Sequence, residues 1–361
     1  MNDVEELKRF ATVHARAQDI RDHREVLDRI TDDAEDSPTS WVVQWTAAGD
    51  RRVAAGDPLG GSRRYAMARF PYVDGPARQR AQDACVAAFD TWRRGRRGIE
   101  RVDAGDVRCW ASGLSGSKRR PLLLVCGGIV SVKEQWAPLL ADLGRTGMAG
   151  VVAELPGVGE NPASYGPDSW RYLSAVLDAV ADRADVARTY AVALSFSGHL
   201  ALRCALTDRR IRGVVTAGAP VSAFFTDPAW QQRLPKVTVD TLAHLTGGKA
   251  EGLPGLLPDW ALTDDMLAAL PVPVAYLASR RDEIIPPADP RRLAAHAPNV
   301  RTAEIDDVHA SPGHVTESKL FTAQSVLRMR GVRGPRRAVL DLAWWLAKAR
   351  GRVREGLSDA G

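Results

Sequence analysis

The chain has 361 residues, of which 45% are hydrophobic and 26% charged, enough to bury a large core and to form one large domain with an added module. No apolar run approaches the ~20 residues needed to span a bilayer, the start MNDVEELKRF has no signal-peptide core, and Cys85, Cys109, Cys126 and Cys204 lack C-x-x-C spacing. An integral membrane protein, a disulfide frame and a zinc site are therefore not expected, a cytoplasmic location is, and of the net +5, residues 319–361 carry +7 (ten Lys or Arg against three Asp or Glu) and the rest −2, so the basic excess reads as a solvated face and not a nucleic-acid footprint.

Residues 1–97 read as a helical module, with apolar residues at helical spacing over 5–30, 40–55 and 76–92. Pro58-Leu59-Gly60-Gly61 and the stretch 71–76 read as turns between them, and the Arg-rich run 93–97 as solvated surface. From Gly98 the pattern changes. Strands are predicted at 99–102, 107–111, 121–126, 148–155, 189–194, 211–217, 272–278 and 300–305, and helices at 132–143, 169–184, 198–206 and 291–296. Such alternation predicts a mainly parallel sheet covered on both faces, with functional loops at the carboxyl ends of the strands. Residues 221–270 break the alternation and carry Phe224, Phe225, Trp230 and Trp260. They read as an insertion that, with the helical module, roofs the active edge of a core spanning 98–330. Residues 331–361 form a basic extension in which Trp344 and Trp345 suggest an amphipathic helix docked on its own protein.

The chemistry centres on Tyr190-Ala191-Val192-Ala193-Leu194-Ser195-Phe196-Ser197-Gly198. An apolar strand stops at a serine and a helical pattern begins, the strand–turn–helix context of a nucleophile elbow. In so tight a turn the residues two before and two after the nucleophile must be small, and Ala193 and Ser197 meet that condition around Ser195. A nucleophilic serine needs a base and an acid that orients it. After the strand at 272–278 comes Asp282, with Glu283 as fallback; after the strand at 300–305 come His309 and, beyond Pro312-Gly313, His314. The order Ser195, Asp282, His309 is that of an α/β-hydrolase triad, with His314 the alternative base. The other histidines, His14, His23, His199, His244 and His296, read as packing or surface residues. An oxyanion needs preorganised N–H donors, which Phe196 and the Gly128-Ile129 segment can supply.

Gly127-Gly128-Ile129-Val130-Ser131-Val132-Lys133-Glu134 resembles the GGxDSxKE-type segment of the FrsA-like branch of α/β-hydrolases, and Glu154-Leu155-Pro156-Gly157-Val158-Gly159-Glu160 is similar to its D-x-PGxGE segment. Val130 and Glu154 stand where that branch often has Asp. The resemblance spans roughly residues 1–325 and implies esterases and C–C hydrolases of small carbonyl compounds that work without a cofactor. The leading expectation is an α/β-hydrolase fold and a serine hydrolase cleaving an ester or thioester of a small or specialised metabolite through an acyl-serine. C–C hydrolysis or lyase chemistry on the same triad, and a non-catalytic binding protein, stay open. The partner expected is a small-molecule substrate, with no nucleic acid and no metal, and a homodimer as the assembly.

Overall fold

The computed structural model describes residues 2–96 and 98–358; Arg97 of the Arg-rich run and residues 359–361 of the extension lie outside the described residues. Eight strands form one sheet: β1 (Ile99–Ala104), β2 (Val107–Ser112), β3 (Pro121–Cys126), β4 (Ala149–Ala153), β5 (Asp185–Ala193), β6 (Ile211–Ala217), β7 (Val274–Ser279) and β8 (Val300–Ile305). Their spatial order is β1-β2-β4-β3-β5-β6-β7-β8. β1 and β2 are a hairpin, β2 meets β4 antiparallel, and every other pairing is parallel. This is the mainly parallel sheet expected from the alternation, arranged as the α/β-hydrolase fold.

The strands are apolar on both faces because both faces are covered. On β3, Leu122, Leu124 and Cys126 pack with Val151, Ala191 and Val214 on one side. Leu123 and Val125 pack with Val152, Val192, Val215 and Leu277 on the other, the two-residue period of a pleated strand. Helices fill both layers, among them Phe196–Thr207, which follows β5, and Val315–Met329, which follows β8.

Five helices precede the sheet: α1 (Val4–Ala17), α2 (His23–Leu27), α3 (Trp41–Ala54), α4 (Pro58–Ala68) and α5 (Pro76–Arg94). The region expected at 5–30 is thus two helices, broken at Asp19, whose φ is +55°. α4 overturns the reading of Pro58-Leu59-Gly60-Gly61 as a turn. Pro58 occupies the first helical position, where its missing N–H costs nothing, and the Asp57 carboxylate accepts from Gly60 N at 2.8 Å. Gly61 serves close packing of α3 on α4, since a Cβ there would collide with Val53, as does Gly49, whose Cβ would lie 2.5 Å from the Tyr65 ring; a Cβ at Gly60 would instead strike the capping Asp57 carboxylate. Leu7, Trp41, Trp45, Met67 and Phe70 form the core of this layer, joined by Val237 of the insertion.

The helix expected at 132–143 is interrupted by a 3₁₀ turn, Ala137–Leu139, at Pro138, which has no N–H to continue the ladder. Residues 221–270 are helical pieces, the longest being Lys236–Thr246. The last helix, Pro335–Ser358, packs on Val315–Met329 through Trp344 against Phe321, with ring centroids 5.5 Å apart. Docking on its own protein was expected of both tryptophans, but only Trp344 is buried; Trp345 is 64% exposed. Among the described residues no helix is long and apolar enough to cross a membrane.

Candidate active site

β5 delivers Ser195 to the carboxyl edge of the sheet, and the chain turns there at once. Ser195 has φ 54° and ψ −131°, a conformation that a non-glycine residue adopts only under constraint from its surroundings. The constraint is visible: Leu194 N donates to Cys126 O at 3.0 Å and Ser195 N to Ala217 O at 2.8 Å. Both neighbouring strand ends therefore grip the turn. Ser197, two residues on, is fully buried, and its hydroxyl bonds the Gly127 carbonyl and the Cys126 sulfur. A small residue was required here, and a serine satisfies the requirement while tying the elbow to the β3 loop.

The loops after β7 and β8 bring the other two residues. Ser195 Oγ lies 3.1 Å from His309 Nε2, and His309 Nδ1 lies 3.0 and 2.9 Å from the two Asp282 oxygens. Asp282 is fixed in turn by the N–H groups of Ile284 (3.0 Å) and Ile285 (2.8 Å), which both donate to Oδ1. The carboxylate of Glu283 accepts instead from His309 N at 3.0 Å. It anchors the backbone of His309 and makes no hydrogen bond to its ring. His314 Nδ1 sits 3.0 Å from Asp307 Oδ2, away from Ser195. Burial opposes protonation of His309, but the Asp282 charge and hydrogen bond outweigh it, so its pKa is raised above 6.5.

Gly218, just past β6, is the residue the sequence reading missed. Its φ is +58°, and a Cβ there would lie 2.7 Å from His309 Cε1, 3.0 Å from Nδ1 and 3.3 Å from Asp282 Oδ2. The Asp282–His309 pair occupies space that only glycine leaves open. A lone glycine after a strand carries no signal of that role.

The N–H groups of Gly128, Ile129 and Phe196 donate to nothing among the described residues. Gly128 abuts Ser195: a Cβ on it would be 3.1 Å from Ser195 Cβ. The segment that carries these donors is latched by buried charge. Lys133 Nζ lies 2.9 Å from Glu134, 3.2 Å from Glu154 and 2.7 Å from Glu160, and Glu154 also accepts from the N–H groups of Lys133 (3.0 Å) and Glu160 (2.9 Å). Burial pushes the Glu154 carboxyl up to about 7 against the pull of Lys133. The two segments that carried the family resemblance thus meet in one ion-pair network.

The helical module and the insertion are tied to each other, and the insertion to the acid loop. Glu6 of α1 accepts from Lys236 N (2.9 Å) and Val237 N (2.8 Å), capping the first turn of the Lys236–Thr246 helix. Trp230 Nε1 donates to Ile284 O at 2.8 Å, beside the acid loop. The start of the insertion is held by Asp289, whose buried carboxylate collects the N–H groups of Val221, Ser222, Ala223 and Phe224 at 2.6–3.2 Å. His14, read from sequence as packing or surface, lies within electrostatic range of His309. Among the described residues no group of three His, Cys, Asp or Glu side chains could hold a metal ion.

Residues 102–307 match the family described as "Esterase FrsA-like". Among curated proteins, esterase FrsA of Pectobacterium atrosepticum is 25% identical over 232 residues, covering 58% of this chain and 56% of that protein. Esterase FrsA of Vibrio vulnificus strain YJ016 is 23% identical over 282 residues, covering 71% and 68%. The chain thus spans little more than half to two thirds of the length of these relatives. The solved structure of wild-type AbyA5 is 53% identical with a TM-score of 0.92 and covers 96% of this chain and 99% of its own. The 2,6-dihydroxy-pseudo-oxynicotine hydrolase, 19% identical with a TM-score of 0.63 over 82% of this chain and 94% of its own, shares the fold. The family match is narrower than the expected 1–325, because the helices before β1 and after β8 lie outside it.

Proposed function

The chain belongs to the FrsA-like esterase family of α/β-hydrolases, and from that premise we propose that it is a serine hydrolase cleaving an ester or thioester of a small metabolite through an acyl-serine. The observation that carries the reading is the continuous hydrogen-bonded line from Ser195 through His309 to Asp282, with distances of 3.1 and 2.9 Å.

In this reading His309 Nε2 takes the Ser195 proton as Oγ attacks the acyl carbon. Asp282 holds the Nδ1–H tautomer and stabilises the imidazolium that forms. The carbonyl oxygen becomes an oxyanion facing the N–H groups of Phe196 and of the Gly128-Ile129 segment; each such donor is worth about 10²–10³ in rate. The tetrahedral adduct collapses, the leaving alcohol or thiol takes the proton from His309, and the acyl group stays on Ser195. Water, deprotonated by His309, then attacks the acyl-serine, releasing the acid and restoring the serine. No step needs a cofactor.

A fluorophosphonate probe tests the reading directly. It should label the native protein at Ser195, as read by peptide mass, and should fail on Ser195→Ala. Absence of labelling on folded protein would leave the non-catalytic binding alternative in its place. Product analysis with ester and β-diketone panels separates ester hydrolysis from C–C cleavage on the same triad.

A further inference from the structure

Arg69, the residue that ends α4, is 1% exposed, yet its guanidinium makes one hydrogen bond, from Nη1 to the Val130 carbonyl at 2.8 Å. That carbonyl lies in the segment carrying the Gly128 and Ile129 N–H groups. Nε is buried without a partner, and among the described residues no carboxylate is within ion-pair distance of the group. Glu154 and Glu134 are near enough to act on it electrostatically, but both are held by Lys133. The fold pairs its other buried arginines: Arg78 with Asp33 and Asp74, and Arg64 with Asp22. Burying a guanidinium with spare donors costs several kcal/mol unless something pairs with it.

His14 of α1 adjoins it. Its ring packs on Phe70, centroids 5.3 Å apart, and Phe70 follows Arg69 in the chain. Neither ring nitrogen of His14 makes a hydrogen bond among the described residues. Loss of solvent, and then the nearby His309 and Arg69, push its pKa down to about 4, so the ring is neutral at ordinary pH. The ring nevertheless keeps some accessible surface.

A buried cation with unused N–H donors, beside a neutral imidazole whose nitrogens make no hydrogen bond and which lies within electrostatic range of His309, matches an oxygen anion. We propose that Arg69 and His14 bind a carboxylate or equivalent anionic oxygen carried by the substrate away from the scissile bond, so that the preferred substrates are acidic acyl compounds. Catalytically relevant binding here rests on the serine-hydrolase reading, but the anion site itself does not.

The test uses the full chain and p-nitrophenyl esters matched in length: monoesters of the C4–C10 dicarboxylic acids against the corresponding simple fatty acyl esters. In the wild type at least one monoester should exceed its neutral partner tenfold or more in kcat/KM, mainly through KM. Arg69→Gln should lower kcat/KM for that monoester at least tenfold more than for the neutral ester. Arg69→Lys should restore part of the difference, and His14→Gln should reduce it about threefold to tenfold. Failure of every monoester to exceed its partner in the wild type overturns the proposal whatever the variants do. Equal losses on both esters in Arg69→Gln overturn it too, since they reduce Arg69 to a prop for the Val130 carbonyl. Calorimetric titration with adipate against adipamide reads the anion site even if Ser195 turns nothing over: adipate alone should bind, and equal or absent binding of the two refutes the site. Ser195 labelled by fluorophosphonate with no anion preference sinks this inference and spares the hydrolase reading; adipate binding without labelling does the reverse.

Discussion

Gly218→Ala isolates how closely the catalytic pair is fitted. The added methyl would stand 2.7 Å from His309 Cε1, whereas unstrained carbon contacts begin near ~3.5 Å. The ring must move by about 0.8 Å, and it is not free to swing, being bonded to Ser195, to Asp282 and through its backbone to Glu283. A shift of that size takes the 3.1 Å bond to Ser195 out of hydrogen-bonding range. A misplacement of about 1 Å costs about 10²-fold in rate, so kcat on a p-nitrophenyl ester should fall about a hundredfold. The φ of +58° adds backbone strain of about 1–2 kcal/mol, visible as a few degrees lost from Tm. Gly105→Ala is the control: its φ is +62° and nothing lies within 4 Å of the added carbon. It should lose a similar amount of stability and no activity. A Gly218→Ala enzyme within threefold of wild type would refute the reasoning.

His309→Ala should lower kcat by about three to six orders of magnitude, the range for removing one member of such a unit, while His314→Ala costs far less because His314 pairs with Asp307; steady-state kinetics of the two variants with melting curves decides this. The pH profile has a definite sign. His309 acts unprotonated and its pKa is raised, so kcat/KM should rise with pH along a limb whose midpoint lies above 6.5; Asp282→Asn should move that midpoint down and cut kcat severely, and a midpoint below 6.5 in the wild type contradicts the assignment. Ending the chain at Gly331 uncovers Phe321, which packs on Trp344, so Tm should fall while kcat/KM stays within a few-fold of the full chain; a folded but inactive truncated protein would contradict the dispensability of the extension.

The parts of this site that sequence could reveal are those whose chemistry is local. Ser195 announces itself because a tight turn needs small residues on both sides, and Ala193 and Ser197 are adjacent in the chain. Asp282 and His309 follow from strand ends in the right order. What escaped depends on distant partners. His14 looks like any helical histidine until α1 is set against the triad, and that placement comes from Glu6 meeting Lys236, 230 residues away. Arg69 draws notice only once its neighbours are known to be otherwise engaged. α4 was missed for a local reason of a different kind: Gly60-Gly61 reads as a breaker, but the Asp57 cap at Gly60 and the close approach of α3 at Gly61 make the missing side chains an advantage.

The Glu6 cap has a kinetic corollary. Two hydrogen bonds to the first turn of the Lys236–Thr246 helix tie the helical module to the insertion, so displacing either one alone breaks both. Substrate admission then requires both to part together, a motion of the kind that often limits turnover. The expected signature is a kcat that falls as solvent viscosity rises, with Glu6→Gln reducing that dependence by loosening the joint. A kcat indifferent to viscosity would mean that the chemistry at Ser195, and not the opening of its cover, sets the pace.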